Sequence, residues 1–165
     1  MLICKPVDSH SFFKTDFLKA MRGITSTVTI ISAKKDSNIQ AMTASSVVSL
    51  SLEPPSMLIC INHEASIYKV LEKRGSFCIN VLTKEQLDLA DICSKKEFEN
   101  ERFSIGKWIL EEEVPYNKEA QSNIFCKCTD LFKHKTHTIY LGEVIKVLNK
   151  ETNNTLLYRD GNYLV

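Results

Sequence analysis

The chain has 165 residues, near-balanced charge (21 Lys and Arg against 20 Asp and Glu, net +1) and 44% hydrophobic residues. That composition fits one packed domain over residues 1–165, by the prior of ~100–200 residues per domain. Acidic and basic residues are interspersed, so no basic stripe points to nucleic acid and no acidic arm to a solvating tail. No signal peptide or run of ~20 apolar residues is found, and the six cysteines sit mostly inside apolar runs; the expectation is a soluble, cytoplasmic protein with reduced thiols and no membrane partner.

In chain order, "SFFKTDFLKAMRGI" carries Phe13, Phe17, Leu18 and Met21 at helical spacing, with Ser11 at its start and Gly23 at its end. "TSTVTIISA" is β-branched and predicts a strand; "KKDSN" is a turn cluster; "IQAMTASSVVSLSL" resumes strand character up to Glu53-Pro54-Pro55, where prolines without N–H donors end the ladder. "SMLICIN" and "SFCINVL" are short apolar strands around "HEASIYKVLEKRG", in which Ile67, Val70 and Leu71 make a helical stripe closed by Gly75. From Lys84 to Glu101 the pattern is helical and charged, with Leu87, Leu89, Ala90 and Ile92 as its buried residues. "EEEVPYNKEAQ" is predicted as surface loop, and "NIFCKCTDLFK", "THTIYLGEVIKVL" and "TLLYRDGNYLV" return to strands, the last two divided by "NKETNN". Six or seven strands with few helices predict a mainly β protein, a barrel with helical insertions, because closure removes exposed edges.

Two features point to a ligand. Thr43, Ser45, Ser46, Ser49 and Ser51 crowd nine positions of a strand, with Val47, Val48, Leu50 and Leu52 between them to seat it on a core. Small hydroxyls with nearby backbone N–H groups suit a phosphate or a polar ring edge, although serines on a solvent face look the same. Ser66 stands at the N-cap of the helix that begins near Ile67, and the residue that would complete a capping box is Lys69, a cation set against the helix dipole. An anion at that terminus would reverse the sign; a solvated Lys69 would also explain it. Cys126-Lys127-Cys128, with His134 and His137 downstream, lacks the repeated pair that zinc requires and fits a strand with both cysteines on one face, so no metal is expected.

The ordered set "MTASSVVSLSLEPPSMLICIN", "EASIYKVL", "GSFCINVL", "ENERF" and "HTIYLGEV" before "LLYRDGNYLV" resembles the flavin reductase domain family over about Phe13 to Leu164. The family includes reductase components of two-component flavin monooxygenases. The resemblance implies a split β-barrel of the FMN-binding type, usually a homodimer, which uses NADH or NADPH to reduce FMN or FAD and can supply a partner monooxygenase. It implies that Thr43, Ala44, Ser45 and Ser46 line the isoalloxazine and ribityl region, that Ser49 and Ser51 lie by the phosphate side, and that Asn62, Ser66 and Ile67 continue the cradle; the anion read above from the helix terminus would bring Lys69 in beside them. Within Gly75 to Leu82 it places Phe77 and Asn80 near the flavin or its support, core packing being the alternative for Phe77. His137 matches the histidine of the family's Gly-Asp-His motif, near nicotinamide and flavin, and is the catalytic candidate; here Lys135 and Thr136 replace the glycine and the acid. The chemistry itself asks little of side chains, since a flavin accepts hydride directly from nicotinamide and the protein aligns two rings. A flavin-binding electron carrier or storage protein without efficient dinucleotide turnover stays open beside the reductase. An OB-like nucleic-acid barrel is opposed by the near-neutral charge.

Overall fold

The computed structural model describes residues 9–71, 74–152 and 154–165. Its elements run α1 (Ser9–Arg22), β1 (Ser26–Thr27), β2 (Thr29–Lys35), β3 (Asn38–Ala44), β4 (Val47–Leu52), β5 (Pro55–Asn62), α2 (Ile67–Leu71) and β6 (Ser76–Val81). A 3-10 turn (Lys84–Gln86) then leads into α3 (Leu87–Ser94), followed by β7 (Trp108–Ile109), β8 (Tyr116–Asn117), β9 (Ser122–His134), β10 (His137–Asn149), β11 (Leu157–Arg159) and β12 (Asn162–Leu164). The protein is mainly β, as the sequence predicts.

Seven strands form one antiparallel sheet in the order β3-β2-β6-β9-β10-β5-β4. Its two edge strands are consecutive in the chain and are joined only by Ser45 and Ser46. A link that short spans at most ~11 Å, so the sheet must bend until its edges approach one another there. No ladder joins β3 to β4 among the described residues. The continuous strand expected over residues 39–52 is therefore two strands belonging to opposite edges, and the serine pair is the corner between them.

The bend makes a concave face and a convex one. Ile31, Ile59, Ile61, Phe77, Ile79 and Tyr140 fill the concave side, where α2 adds Ile67, Val70 and Leu71. On the other face α3 packs Leu89, Ala90 and Cys93 against Val28, Ile30, Ala41 and Leu82. Strand β2 is buried on both faces, which is why "TVTIISA" shows no alternation. Gly142 on β10 has a specific reason to be glycine: a Cβ there would lie 2.6 Å from Phe77 Cζ and 2.8 Å from Cys126 Cβ.

The helix expected over residues 84–101 is shorter. Gln86 Oε1 accepts the Thr83 N–H at 3.1 Å, and the helix stops at Ser94, where Lys95 turns extended. The Asp160–Gly161 turn folds the last segment into the β11–β12 hairpin, which pairs with β1. Strand β4 also departs from expectation. Only Val47 is partly buried and packed on the core; Val48, Leu50 and Leu52 are exposed. No described helix is long and apolar enough to cross a membrane, and no described cluster of His, Cys, Asp or Glu could hold a metal ion.

Candidate functional site

The corner at Ser45–Ser46 opens onto three adjoining cavities. The first, ≈ 110 Å³, lies between Met42 and Thr43 of β3, Ser66 before α2, Ser94 at the end of α3, and Arg102. The second, ≈ 380 Å³, shares Thr43 and Ser94 with it and adds Ala44, Ser45, Tyr158 and Tyr163. The third, ≈ 370 Å³, shares Ser45, Tyr158 and Gly161 with the second and is walled by Leu18, Met21 and Arg22 of α1. Together they form one groove along the sheet corner, within the ~300–1,000 Å³ typical of small-molecule sites.

One end of the groove is cationic and prearranged. Arg102 is 5% exposed. Its Nη1 donates to Ala41 O at 2.8 Å and to Ser66 Oγ at 3.0 Å, and its Nη2 donates to Lys95 O at 3.0 Å. Its Nε is buried with no hydrogen-bond partner. An incompletely paired, buried guanidinium is costly, and an anion in the cavity beside Ser66 would supply what it lacks; Lys96 and Glu64 line the same cavity, so with Arg102 its wall carries two cations against one acid. Thr43 Oγ1 donates to Ala90 O at 2.6 Å, which fixes its rotamer and ties β3 to α3. Burial, with Asp91 adding to it, raises the Tyr163 phenol and keeps it a neutral donor in the second cavity. Cys93, on the wall of the first cavity, is pushed up to about 12 by burial despite the nearby Arg102, and stays a thiol.

A larger cavity of ≈ 640 Å³ lies along another side of α3. It contains none of the candidate site residues read from the sequence, and Glu85, Asp88, Asp91 and Glu119 outnumber the one cation on its wall, Lys95, which disfavours a phosphate.

The groove gathers some of the expected residues and leaves others out. Thr43, Ala44, Ser45, Ser46 and Ser66 line it. Ile67 is fully buried in the core directly behind Ser66. Lys69 is exposed on α2 and lines none of the three cavities; the cations at that end are Arg102 and Lys96. Ser49 and Ser51 lie out along β4, away from Arg102, and Ser51 Oγ is engaged by its own turn, donating to Glu53 O and accepting the Glu53 N–H.

Asn62 Oδ1 accepts the Glu64 N–H at 2.9 Å and shapes the loop that carries Ser66. Phe77 and Asn80 are fully buried. Phe77 packs in the concave core. Asn80 is the hub of a polar network: Nδ2 donates to Ile30 O and Ser32 Oγ, and Oδ1 accepts from the Asn117 N–H and Asn123 Nδ2. Neither lines any of the three cavities.

His137 opens β10 opposite Asn62, exposed at the tip of the β9–β10 hairpin, with Nδ1 2.8 Å from Thr136 Oγ1. It lines none of the three cavities. The hairpin explains part of the departure noted in the sequence: Lys135 has φ 50, a left-handed position that glycine would occupy without steric cost.

Arg102, Tyr158 and Tyr163 are groove residues that had no role in the sequence reading. Arg102 sat inside the quoted "ENERF", but a charged residue in an irregular stretch reads as solvated, and nothing in the spacing announces its burial. Tyr158 and Tyr163 sat inside "LLYRDGNYLV", and only the return of the chain end to β1 carries them to Ser45.

The flavin reductase like domain family matches residues 21–164. The chain is 36% identical over 151 residues to the reductase component of an FADH(2)-dependent resorcinol hydroxylase from Rhizobium sp. (strain MTP-10005), covering 90% of this chain and 84% of the relative. It is 31% identical over 143 residues to the FMN reductase (NADH) RutF of Pseudomonas syringae pv. syringae (strain B728a), covering 86% of this chain and 80% of the relative. Among solved structures, an NADH:FAD oxidoreductase of Streptomyces globisporus, SgcE6, in complex with NAD and FAD fragments, is similar with a TM-score of 0.84 and 26% identity, over 100% of this chain and 96% of that one.

Proposed function

The chain belongs to the flavin reductase like domain family, and on that premise we propose that it is an NAD(P)H:flavin oxidoreductase that binds FMN or FAD along the groove at Ser45–Ser46. The observation that carries this reading is the paired character of the groove. A hydroxyl-rich corner with two tyrosines adjoins a small cavity in which a buried, incompletely paired arginine meets Ser66.

The assignment runs from one end to the other. Arg102 and Ser66, with Lys96 at the rim, hold the flavin's phosphate, since charge-assisted N–H···O bonds are strongest where solvent is excluded. Thr43, Ala44, Ser45 and Ser46 follow the ribityl chain and ring edge, and Tyr158 and Tyr163 give the wall facing them. The flavin, when bound, supplies the hydride acceptor. The chain's part is to fix the ring, keep one face open to a nicotinamide and exclude water from the other. Asn80, by pinning Ile30, Ser32, Asn117 and Asn123, keeps β2, β6 and β9 in register behind that wall.

His137 is assigned to the dinucleotide. Its Nδ1 is engaged by Thr136, so a substrate contact is made through Nε2. Because it lines none of the groove's cavities, its partner is the nicotinamide side and not the flavin's phosphate. The fold is assigned as a split barrel, supported by the sheet whose two edges meet only at Ser45–Ser46. The functional unit is assigned as a homodimer that releases reduced flavin to a partner monooxygenase, by similarity to relatives named as reductase components. The test is steady-state oxidation of NADH and NADPH with and without added FMN or FAD: flavin-dependent oxidation supports the reading, and tight flavin binding without dinucleotide oxidation refutes it.

A further inference from the structure

The ≈ 640 Å³ cavity beside α3 has the size of a small-molecule site. Leu89, Ile92, Phe98 and Ile105 give it an apolar floor, and Glu85, Asp88, Asp91 and Glu119 stand on its wall. Three of those carboxylates are already engaged. Glu85 accepts from Asn154 Nδ2, Asp91 is paired with Lys95 Nζ at 2.6 Å, and Glu119 with Lys107 Nζ at 2.9 Å. Asp88, exposed in the first turn of α3, has no ion-pair or side-chain hydrogen-bond partner among the described residues.

A buried donor faces the same cavity. Asn117 is fully buried; its Oδ1 accepts Gln86 Nε2 and the Glu119 N–H, while its Nδ2 has no hydrogen-bond partner. That Nδ2 is aimed at Gly106, where a Cβ would lie 2.7 Å from it and 3.3 Å from Leu89 Cδ2. Gly106 and Leu89 both line the cavity, so the spare donor stands at the one lining position without a side chain. An unsatisfied buried donor is costly, and an acceptor atom of a ligand, or a water held by it, offsets that cost.

The cavity also adjoins the anion end of the groove. Over the last turn of α3, Asp91 and Ile92 line this cavity while Cys93 and Ser94 line the small one that holds Arg102; beyond it, Lys95 lines this side and Lys96 the other. Arg102 Nη2 donates to Lys95 O at 3.0 Å and holds that turn. A diphosphate that leaves Arg102 in this direction passes two lysines before it reaches the carboxylates.

We propose that this cavity binds the adenosine end of an adenosine diphosphate group whose ribose diol is free. The adenine lies on the apolar floor beside Phe98, the 2′- and 3′-hydroxyls donate to Asp88, and the diphosphate runs over Lys95 and Lys96. FAD and NADH both carry this group; FMN and reduced nicotinamide mononucleotide do not. A 2′-phosphate, as in NADPH, meets four carboxylates against one lysine and is disfavoured. The inference rests on the reductase reading above for the presence of such a ligand, and its binding test does not.

The test is equilibrium dialysis of the full chain against adenosine, 2′-deoxyadenosine and adenosine 2′-monophosphate. Adenosine binds, Asp88→Asn weakens it about tenfold, and the deoxy probe, which needs no variant, is weaker by a similar factor. Adenosine 2′-monophosphate binds more weakly than adenosine. Glu112→Gln, in the exposed loop before β8, changes nothing. Fluorescence quenching by FAD and FMN, with KM values for NADH and reduced nicotinamide mononucleotide, identifies the source. If FAD supplies the group, Asp88→Asn weakens FAD about tenfold and spares FMN; if NADH does, the variant raises its KM about tenfold and spares the mononucleotide.

No adenosine binding, equal binding of adenosine and its 2′-monophosphate, an Asp88→Asn chain that loses neither FAD nor NADH, or one that loses FMN as much as FAD, each overturns the inference. The function is judged separately. A chain that binds adenosine through Asp88 and never oxidises NADH keeps the pocket and loses the reductase reading; one that oxidises NADH with flavin and binds no adenosine loses the pocket alone.

Discussion

Replacing Arg102 with Met keeps the length of an unbranched stem and removes the guanidinium. If that group holds a phosphate through at least one charge-assisted bond, ~1.5–3 kcal/mol of binding is lost, which is ~10–150-fold in Kd. The structure also predicts a stability cost, since Ala41 O and Lys95 O lose their donors. Relief of the partnerless Nε offsets part of that, leaving a loss of about 1–3 kcal/mol and a fall in Tm of ~2–4 °C per kcal/mol for a chain of this size. Fluorescence quenching of FMN and of riboflavin, titrated side by side below the melting transition, separates the two effects. Riboflavin has the same ring and ribityl chain without the phosphate, so Arg102→Met should weaken FMN by the full factor and riboflavin by less than about threefold. Equal losses for both ligands would refute the phosphate assignment and leave Arg102 as a brace between β3 and the turn after α3.

Gly142→Ala should lower Tm and the urea midpoint by the equivalent of about 1–3 kcal/mol, because the new methyl meets Phe77 and Cys126 at 2.6–2.8 Å; an unchanged midpoint would mean that β10 shifts freely. His137→Ala should slow flavin reduction by up to ~10²-fold through misalignment of the dinucleotide while FMN affinity stays constant; stopped-flow reduction with a parallel titration checks both. Burial pushes Cys93 and Cys126 from 9.0 up to about 12, so the folded chain holds those protons where the unfolded chain releases them. Their stabilising contribution is whole below about pH 9 and is lost as pH rises through about 12. Urea midpoints over that range should fall with pH, and iodoacetamide at mildly alkaline pH should label neither thiol until the chain is unfolded.

Local chemistry made much of this protein legible. The β-branched runs and the Gly23 helix end each act over a few residues, and the structure has strands and a helix end where those signals stand; the Asp160–Gly161 turn, which divides the single strand expected over residues 155–165 into β11 and β12, went unread. What stayed hidden depends on contacts between distant segments. Residues 39–52 have unbroken strand character, and only the closing of the sheet makes Ser45–Ser46 a corner between opposite edges. Asn80 reads as one polar residue in an apolar strand; its role needs Ile30, Ser32, Asn117 and Asn123, four residues from three other strands. The anion end was sought at Lys69, one helical turn from Ser66, whereas the cation that reaches Ser66 is Arg102, 36 residues away in sequence. Apolar pattern also misled once: Val48, Leu50 and Leu52 have the spacing of a buried face, but the register shift between Ser49 and Ser51 breaks that alternation and all three are exposed.

Anaerobic mixing of the FMN-loaded protein with NADH and with NADPH, followed at the visible flavin band, tests the central claim most directly. The account predicts that the band bleaches with at least one dinucleotide, at a rate that saturates with its concentration, and returns on admitting air. A protein that binds FMN in this groove, bleaches with dithionite and is untouched by both dinucleotides would contradict it.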